Sequence, residues 1–299
     1  MTHTHQHTPH HGNGAHHSGH GHGPGGHHAH SDGGQAEILD LDAEVLAEHI
    51  ASITAWLPLK DKPRHIVDLG CGTGAGTFAL LERFPDAHIT AVDTSAEHLK
   101  LLREKACARG IQERVRTVQA DLDHDDWPDL GQPDLVWASA SMHHMANPER
   151  ALSNVRELLA PGGLFAVVEL AGVPRFLPAH APENRPGLEE RAHAATNSFH
   201  AERVPHRGAD WGPMLTAAGF TVEDDRTLTV TVAGARSDAV GRYAYGILQR
   251  IRSVAAPALS PEDLTALDEL LDTSSPNSLL LREDLAVRTE RTVWAARRA

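Results

Sequence analysis

A chain of 299 residues, 40% of them hydrophobic, holds enough apolar material for a sizeable core, and reads as one large globular domain or one domain with an appendage. Its formal charge of −13 argues against nucleic acid as a default partner, since a phosphate backbone would be repelled unless a basic patch overcame that field. The short basic clusters, Arg250 with Arg252 and Arg297 with Arg298, read as ordinary solvated surface.

No stretch approaches the roughly 18 consecutive apolar residues of a membrane span, and the polar N-terminus lacks the apolar core of a secretory signal. A cytoplasmic location is expected. The two cysteines, Cys71 and Cys107, each fall inside a regular α/β unit, which fits a reducing compartment better than a disulfide framework.

Residues 1 to about 35 are nearly all His, Gly, Ser, Thr, Pro and Asn and include twelve of the 23 histidines. With no apolar periodicity to offset the entropy of ordering, this tail is expected to be disordered, with incidental affinity for Zn²⁺ or Ni²⁺. Structure is expected from about Ile38, where Leu41, Val45, Leu46, His49, Ile50, Ile53 and Leu57 recur at the spacing of one amphipathic helix ending at Pro58.

From His65 onward, short β-branched runs alternate with helical segments, the pattern of a parallel sheet covered by helices. The expected strands are His65–Leu69, His88–Val92, Val115–Gln119, Asp134–Ala138 and Leu164–Leu170, separated by helices. The clearest of these helices are Gly74–Arg83, Ser95–Arg109 and Pro148–Leu159. A helix near Trp211–Ala218 leads into the alternating strand Thr221–Val232, and a last strand covers roughly Val287–Ala296. Two segments interrupt the alternation: about 171–210, rich in Pro, His and charge, and about 236–282, which reads as two helices with Tyr243, Ile247, Leu248 and Ile251 on one face. Both are candidate covers for a ligand site, because insertions at one rim of an open sheet are where function varies.

The most informative stretch runs from Ile66 to Gly76, where an apolar strand ends in Asp68 and a glycine-rich turn, Gly70–Cys71–Gly72–Thr73–Gly74, opens a helix. The glycines alone are ambiguous, since Gly70, Gly72 and Ala75 also satisfy the dinucleotide pattern G-x-G-x-x-G/A. Asp68 separates the readings: a carboxylate beside the turn suits an ammonium or sulfonium cation and not a pyrophosphate. Asp93, followed by Thr94, ends the next strand where a carboxylate can accept hydrogen bonds from both ribose hydroxyls. Asp121 follows the third strand and can accept from an adenine amino group while Leu122 packs on the ring; Cys71 is read as a small space-filling residue.

In these features the sequence resembles the class I S-adenosylmethionine-dependent methyltransferases, over roughly residues 62–235 with a final strand at 287–297. The resemblance rests on D-L-G-C-G-T-G at 68–74, A-V-D at 91–93, A-D-L at 120–122 and L-A-P-G-G at 159–163. It implies a Rossmann-like, doubly wound α/β fold whose seven-stranded sheet is mostly parallel with an antiparallel last strand. It also implies that S-adenosylmethionine lies on Gly70 and Gly72, that Asp93 holds its ribose, and that Ala138 and Ser139 face it from the fourth strand. One methyltransferase domain over 36–299 is therefore expected, acting on a small-molecule acceptor.

Three residues are candidates for chemistry on the acceptor. His143 and His144 follow the fourth strand, where an imidazole could take a proton from an O–H or N–H acceptor or, alternatively, order the loop. Glu169, at the end of the fifth strand, could orient the acceptor or act as base. No metal centre is expected: His180, His193, His200 and His206 have no ligand spacing. Two other readings remain open at this stage, a nicotinamide-dependent oxidoreductase and a non-catalytic cofactor- or metal-binding protein.

Overall fold

The computed structural model describes residues 29–234 and 238–298. Seven strands, β1 (His65–Leu69), β2 (His88–Asp93), β3 (Val115–Gln119), β4 (Leu135–Ser139), β5 (Leu164–Leu170), β6 (Phe220–Ala233) and β7 (Ala286–Arg298), form one sheet in the order β3-β2-β1-β4-β5-β7-β6. The pairs among β1 to β5 are parallel, and β7 runs antiparallel to both neighbours, β5 and β6. This is the expected Rossmann-like sheet, with β6 and β7 extended to 14 and 13 residues.

Alternation along the strands separates two apolar faces. Val67, Val136, Phe165 and Val167 pack with α5 (Pro148–Leu158) and α7 (Trp211–Ala217). Ile66, Leu135, Trp137, Leu164 and Ala166 pack on the other face with α2 (Ala47–Trp56) and α3 (Ala75–Arg83). The helix starts follow local chemistry. Ser95 caps α4 (Ala96–Ala108) by accepting from the His98 N–H at 3.2 Å, and Asn147 caps α5 by accepting from the Arg150 N–H at 3.0 Å, with Pro148 in the first turn.

Three sequence expectations change. The single helix ending at Pro58 is two helices, α1 (Ala29–Val45) and α2, broken at Leu46. The break lets Ile38, Leu41 and Leu46 join one core cluster while Ile53 and Leu57 join another, which one straight helix face could not serve. Helix α1 also starts earlier than Ile38; residues 1–28, the bulk of the His-rich tail, lie outside the described residues. Between β3 and β4, residues 120–134 contain no helix, because Pro128, Gly131 and Pro133 interrupt the segment and Asp123, Asp125 and Asp126 crowd like charges.

The two interrupting segments and α1 build a separate layer. Segment 171–210 carries α6 (Leu188–Arg203), and 236–282 carries α8 (Asp238–Ala255) and α9 (Pro261–Leu271). Phe176, Leu188, Val240, Leu248 and Leu267 are fully buried together with Ile38 and Leu41 of α1, so three segments distant in sequence share one apolar cluster. This cap sits against the sheet through Val230 and Val287.

Arg297, expected on the surface, is only 8% exposed. Its guanidinium donates to both carboxylate oxygens of Glu223, at 2.5 and 2.6 Å, and to the carbonyls of Gly162 and Pro58, each at 2.7 Å. It therefore clamps β7, β6, the turn before β5 and the entry to β1. The pairing holds the Glu223 carboxyl below its usual range, so this stability is present above about pH 4.5 and fades as pH falls through the lower folded value. Arg297→Met is expected to lower stability at pH 7 by about 3 kcal/mol, the scale for opening a largely buried pair. Urea unfolding should show the gap to the parent chain narrowing below pH 4.

Candidate active site

The strand order reverses between β1 and β4, and the crevice at their carboxyl ends is where an open α/β sheet accepts a ligand. A cavity of about 610 Å³ lies there, between the sheet and the cap. Its sheet side includes Asp68, Gly70, Cys71, Gly72, Asp93 and Thr94, with Asp121, Leu122, Ser139, His143 and His144 further along.

Gly70 shows why the turn needs glycine. Its φ is +68°, and a Cβ there would stand 2.4 Å from the Cβ of Ser141, whose hydroxyl donates to the Leu69 carbonyl at 2.8 Å. The turn is thus locked against the loop that carries the histidines. That loop is itself strained: Ala140, a cavity-lining residue, adopts φ 53° without being glycine, a conformation costing on the order of 1 kcal/mol.

Asp93 fastens the turn from the other side. Its Oδ2 accepts from the Gly72 N–H and its Oδ1 from the Ser95 N–H, both at 2.8 Å, and His98 lies 3.4 Å away. Burial alone would raise the Asp93 pKa, but the hydrogen bonds from His98, Ser95 and Gly72 outweigh it and keep the carboxyl below its usual value. Each carboxylate oxygen has a second lone pair, so Asp93 can hold the turn and still receive ribose hydroxyls. Asp121 keeps a half-exposed side chain that accepts from the Asp123 N–H at 2.9 Å.

Asp68 is 2% exposed and accepts from the Thr77 hydroxyl at 2.6 Å. Desolvation, reinforced by the charge of Asp93 and opposed by the Thr77 bond, pushes its pKa up to about 7. A buried carboxyl facing the cavity, with no ion pair among the described residues, suits an incoming ammonium. The donor set therefore fits the amino-acid and nucleoside ends of S-adenosylmethionine.

Two proposed cofactor residues lie off the cavity wall. Ala138 points into the core beneath α5, because side chains alternate along β4 and Trp137 and Ser139 take the cavity side. Gly74 caps α3 at φ 101°, and a Cβ there would meet the Phe78 ring at 2.7 Å, so its role is packing. Cys71 lines the cavity, and burial with the nearby carboxylates pushes its thiol well above the usual range, so it stays protonated.

His143 and Glu169 form a buried pair. Both are 2% exposed; the ring Nδ1 lies 2.5 Å from Glu169 Oε2, and the His143 N–H donates to Oε1 at 3.3 Å. Glu169 is absent from the cavity lining and stands behind His143. The His144 ring, 4.2 Å from that of His143, is pushed down to about 4 by desolvation and then by His143, Arg207 and Arg250. The remaining described histidines of segment 171–210 act locally: His193 lies 3.8 Å from Glu189 and His206 packs on Trp211. No cluster of three metal-ligating side chains occurs among the described residues.

The cap was expected from the two insertions, but its charged residues were not. Asp42 of α1 receives two 2.7 Å hydrogen bonds from Arg291 of β7 and one of 2.7 Å from the Tyr243 hydroxyl of α8, and all three residues line the cavity. Arg207 and Arg250 line it as well, Arg250 while remaining an exposed side chain, as its surface reading had it. One signal for Arg250 was in the sequence, since it falls on the apolar stripe of α8 with Tyr243, Ile247 and Ile251, a position where a charge is out of place.

A doubly wound sheet with a carboxylate-rimmed nucleoside crevice at its switch point defines the class of protein. Residues 67–165 match the methyltransferase domain family. Over 105 residues the chain is 43% identical to trans-aconitate 2-methyltransferase of Acidovorax sp. strain JS42, covering 35% of this chain and 38% of that protein. Over 119 residues it is 36% identical to demethylmenaquinone methyltransferase of Thermus thermophilus, covering 40% and 53%. The matches thus span well under two thirds of these relatives' length. Among solved structures, a Bacillus halodurans C-125 protein superposes with a TM-score of 0.53 at 18% identity, over 83% of this chain and 98% of that one. Haemonchus contortus phosphoethanolamine N-methyltransferase 2, in complex with S-adenosylhomocysteine, gives 0.51 at 14%, over 90% and 58%. Residues 67–165 thus carry the likeness to a methyltransferase domain on a Rossmann-like fold, and the nicotinamide reading is not favoured.

The Asp68 pKa carries a prediction. The folded value near 7 exceeds the unfolded one of 3.8, so the apo protein holds an extra proton between them and loses stability as pH rises through that window. An ammonium beside Asp68 favours its ionised form, so S-adenosylhomocysteine binding at pH 6 should release a proton, and affinity should rise with pH up to about 7. Calorimetry in two buffers of different ionisation enthalpy measures this, and Asp68→Asn should abolish both effects.

Proposed function

We propose that the chain transfers a methyl group from S-adenosylmethionine to a small-molecule acceptor bound between His143 and the cap. The observation that supports this most is the convergence on one cavity of the glycine turn, the three acids Asp68, Asp93 and Asp121, and His143, which Glu169 backs from behind. Gly70, Cys71, Gly72, Thr94, Leu122 and Ser139 complete the cofactor wall, and the cap insertions form the acceptor cover. Relatives named for trans-aconitate and demethylmenaquinone support an acceptor that is a small molecule. The protein is read as cytoplasmic, without a nucleic-acid partner; among the described residues no helix is long and apolar enough to cross a membrane.

The sulfonium of the bound cofactor supplies a methyl carbon whose leaving group is already activated by positive charge. The protein's own contribution is positioning and proton removal. Glu169 accepts from His143 Nδ1–H, fixes the ring orientation and leaves Nε2 as the proton acceptor on the cavity side. S-adenosylmethionine, held on the glycine turn and the strand-end acids, would supply the methyl group to the acceptor's O, N or C atom, and His143 Nε2 would take the proton that the acceptor gives up. His144, held near pKa 4, is neutral and too weakly basic for this task at neutral pH; it shapes the pocket.

Incubation with methyl-labelled S-adenosylmethionine and a fractionated metabolite extract tests the activity, and a labelled small molecule is the expected result. S-adenosylhomocysteine should raise the melting temperature and NAD should not; stabilisation by NAD alone would overturn the reading. With an acceptor in hand, His143→Ala should lower kcat by about 10²–10⁴ and remove the acidic limb of the pH–rate profile. Glu169→Gln should lower kcat and shift that limb, whereas His144→Ala should change KM and retain the profile.

A further inference from the structure

The polar groups on the cap side of the cavity are already engaged. Asp42 takes up Arg291 and the Tyr243 hydroxyl. The Thr196 hydroxyl of α6 donates to the Ala192 carbonyl of its own helix at 2.9 Å. Arg250, an exposed side chain, donates to the side-chain oxygen of Gln35, and Arg207 is engaged as well. A ligand group that drew on any of these would have to exchange an existing bond for a new one, which leaves little net gain.

What the cap offers freely is apolar surface. Ile247, Ile251 and Val254 follow one another at four- and three-residue spacing along α8, on one face of the helix, and all line the cavity. Helix α1 adds Ile38: a Cβ on Gly246 of α8 would stand 3.0 Å from Ile38 Cγ1, so the two helices meet without a gap. Val173 and Pro174 after β5 line the same space. The stripe does not end in the core, because Val254 is 36% exposed and carries the apolar wall out to the rim. A single exposed valine means little, but one that continues a cavity wall is a place where a ligand removes apolar surface from water. The acids at the sheet end and the net charge of −13 disfavour a polyanion in the same cavity. His143, with Nδ1 engaged by Glu169, presents Nε2 as the proton acceptor.

We propose that the methyl acceptor is an amphipathic small molecule, with an uncharged alkyl or aryl body seated on Ile38, Ile247, Ile251 and Val254 and a single O–H or N–H head turned to His143. This deepens the methyltransferase reading and rests on it. The apolar wall selects the body and His143 the head, so affinity tracks the apolar area buried, and the paired charges of the cap hold that wall in place.

The test uses the full chain saturated with S-adenosylhomocysteine, titrated calorimetrically with phenol, 4-ethylphenol, 4-butylphenol and 4-hexylphenol, with citrate as the polyanionic control. One site is expected, with affinity rising about threefold per added methylene and the heat-capacity change of binding growing more negative along the series. Val254→Asp, at an exposed position where the fold tolerates a charge, and Ile247→Ala should each weaken 4-hexylphenol by about tenfold and leave S-adenosylhomocysteine affinity unchanged. The proposal is overturned if citrate binds and the phenols do not, if affinity does not depend on chain length, or if no probe binds. It is equally overturned if neither substitution changes the series, which would put the phenols elsewhere on the chain. Failure of S-adenosylhomocysteine itself to bind would count against the methyltransferase reading, and the same titration of the apo chain would then still decide the character of the cap wall.

Discussion

The cavity exists because Arg291 is paired. This side chain comes from the last strand into the interior, 4% exposed, where an isolated guanidinium would be prohibitively desolvated. Asp42, 249 positions earlier, meets it with two hydrogen bonds, and the Tyr243 hydroxyl donates to the same carboxylate. The attraction of Asp42 more than offsets the desolvation and keeps Arg291 firmly charged. One ion pair thereby joins α1, α8 and β7, the three elements whose separation would open the pocket.

A second tether reinforces the first. Asp40, one turn-face away from Asp42 on α1, is met by Lys105 of α4 and by the Thr73 hydroxyl in the glycine turn. The first helix is thus pinned to the cofactor wall by one acid and to the cap by the other, and Leu39, just before them, faces the cavity. Apolar burial of Ile38 and Leu41 supplies the bulk attraction; the two acids set where the helix lies.

The same division runs through the chemistry. The sheet end carries the acids Asp68, Asp93 and Asp121, suited to a cation and hydroxyls, whereas the cap end carries the paired Asp42 and Arg291 with Arg207 and Arg250. His143 stands at the junction, its orientation set by a carboxylate buried on the next strand. Glu169 shows how far sequence reasoning could reach. It was legible as an acid at a strand end, but its position behind the histidine depends on the β4–β5 register and on the strained turn at Ala140.

The sequence by itself determined the sheet, the helices flanking it and the cofactor turn, because period-two runs, glycine conformational freedom and strand-end acids are local properties. Motif membership did not show that the Ala138 side chain turns to the core or that Gly74 packs against Phe78, off the cavity wall. It could not show the break at Leu46, the helix-free crossover after β3 or the buried clamp of Arg297. Above all, it could not bring Asp42 to Arg291. Charges far apart in the chain look like solvated surface until packing removes the water between them, and only the tertiary structure decides which ones are enclosed together.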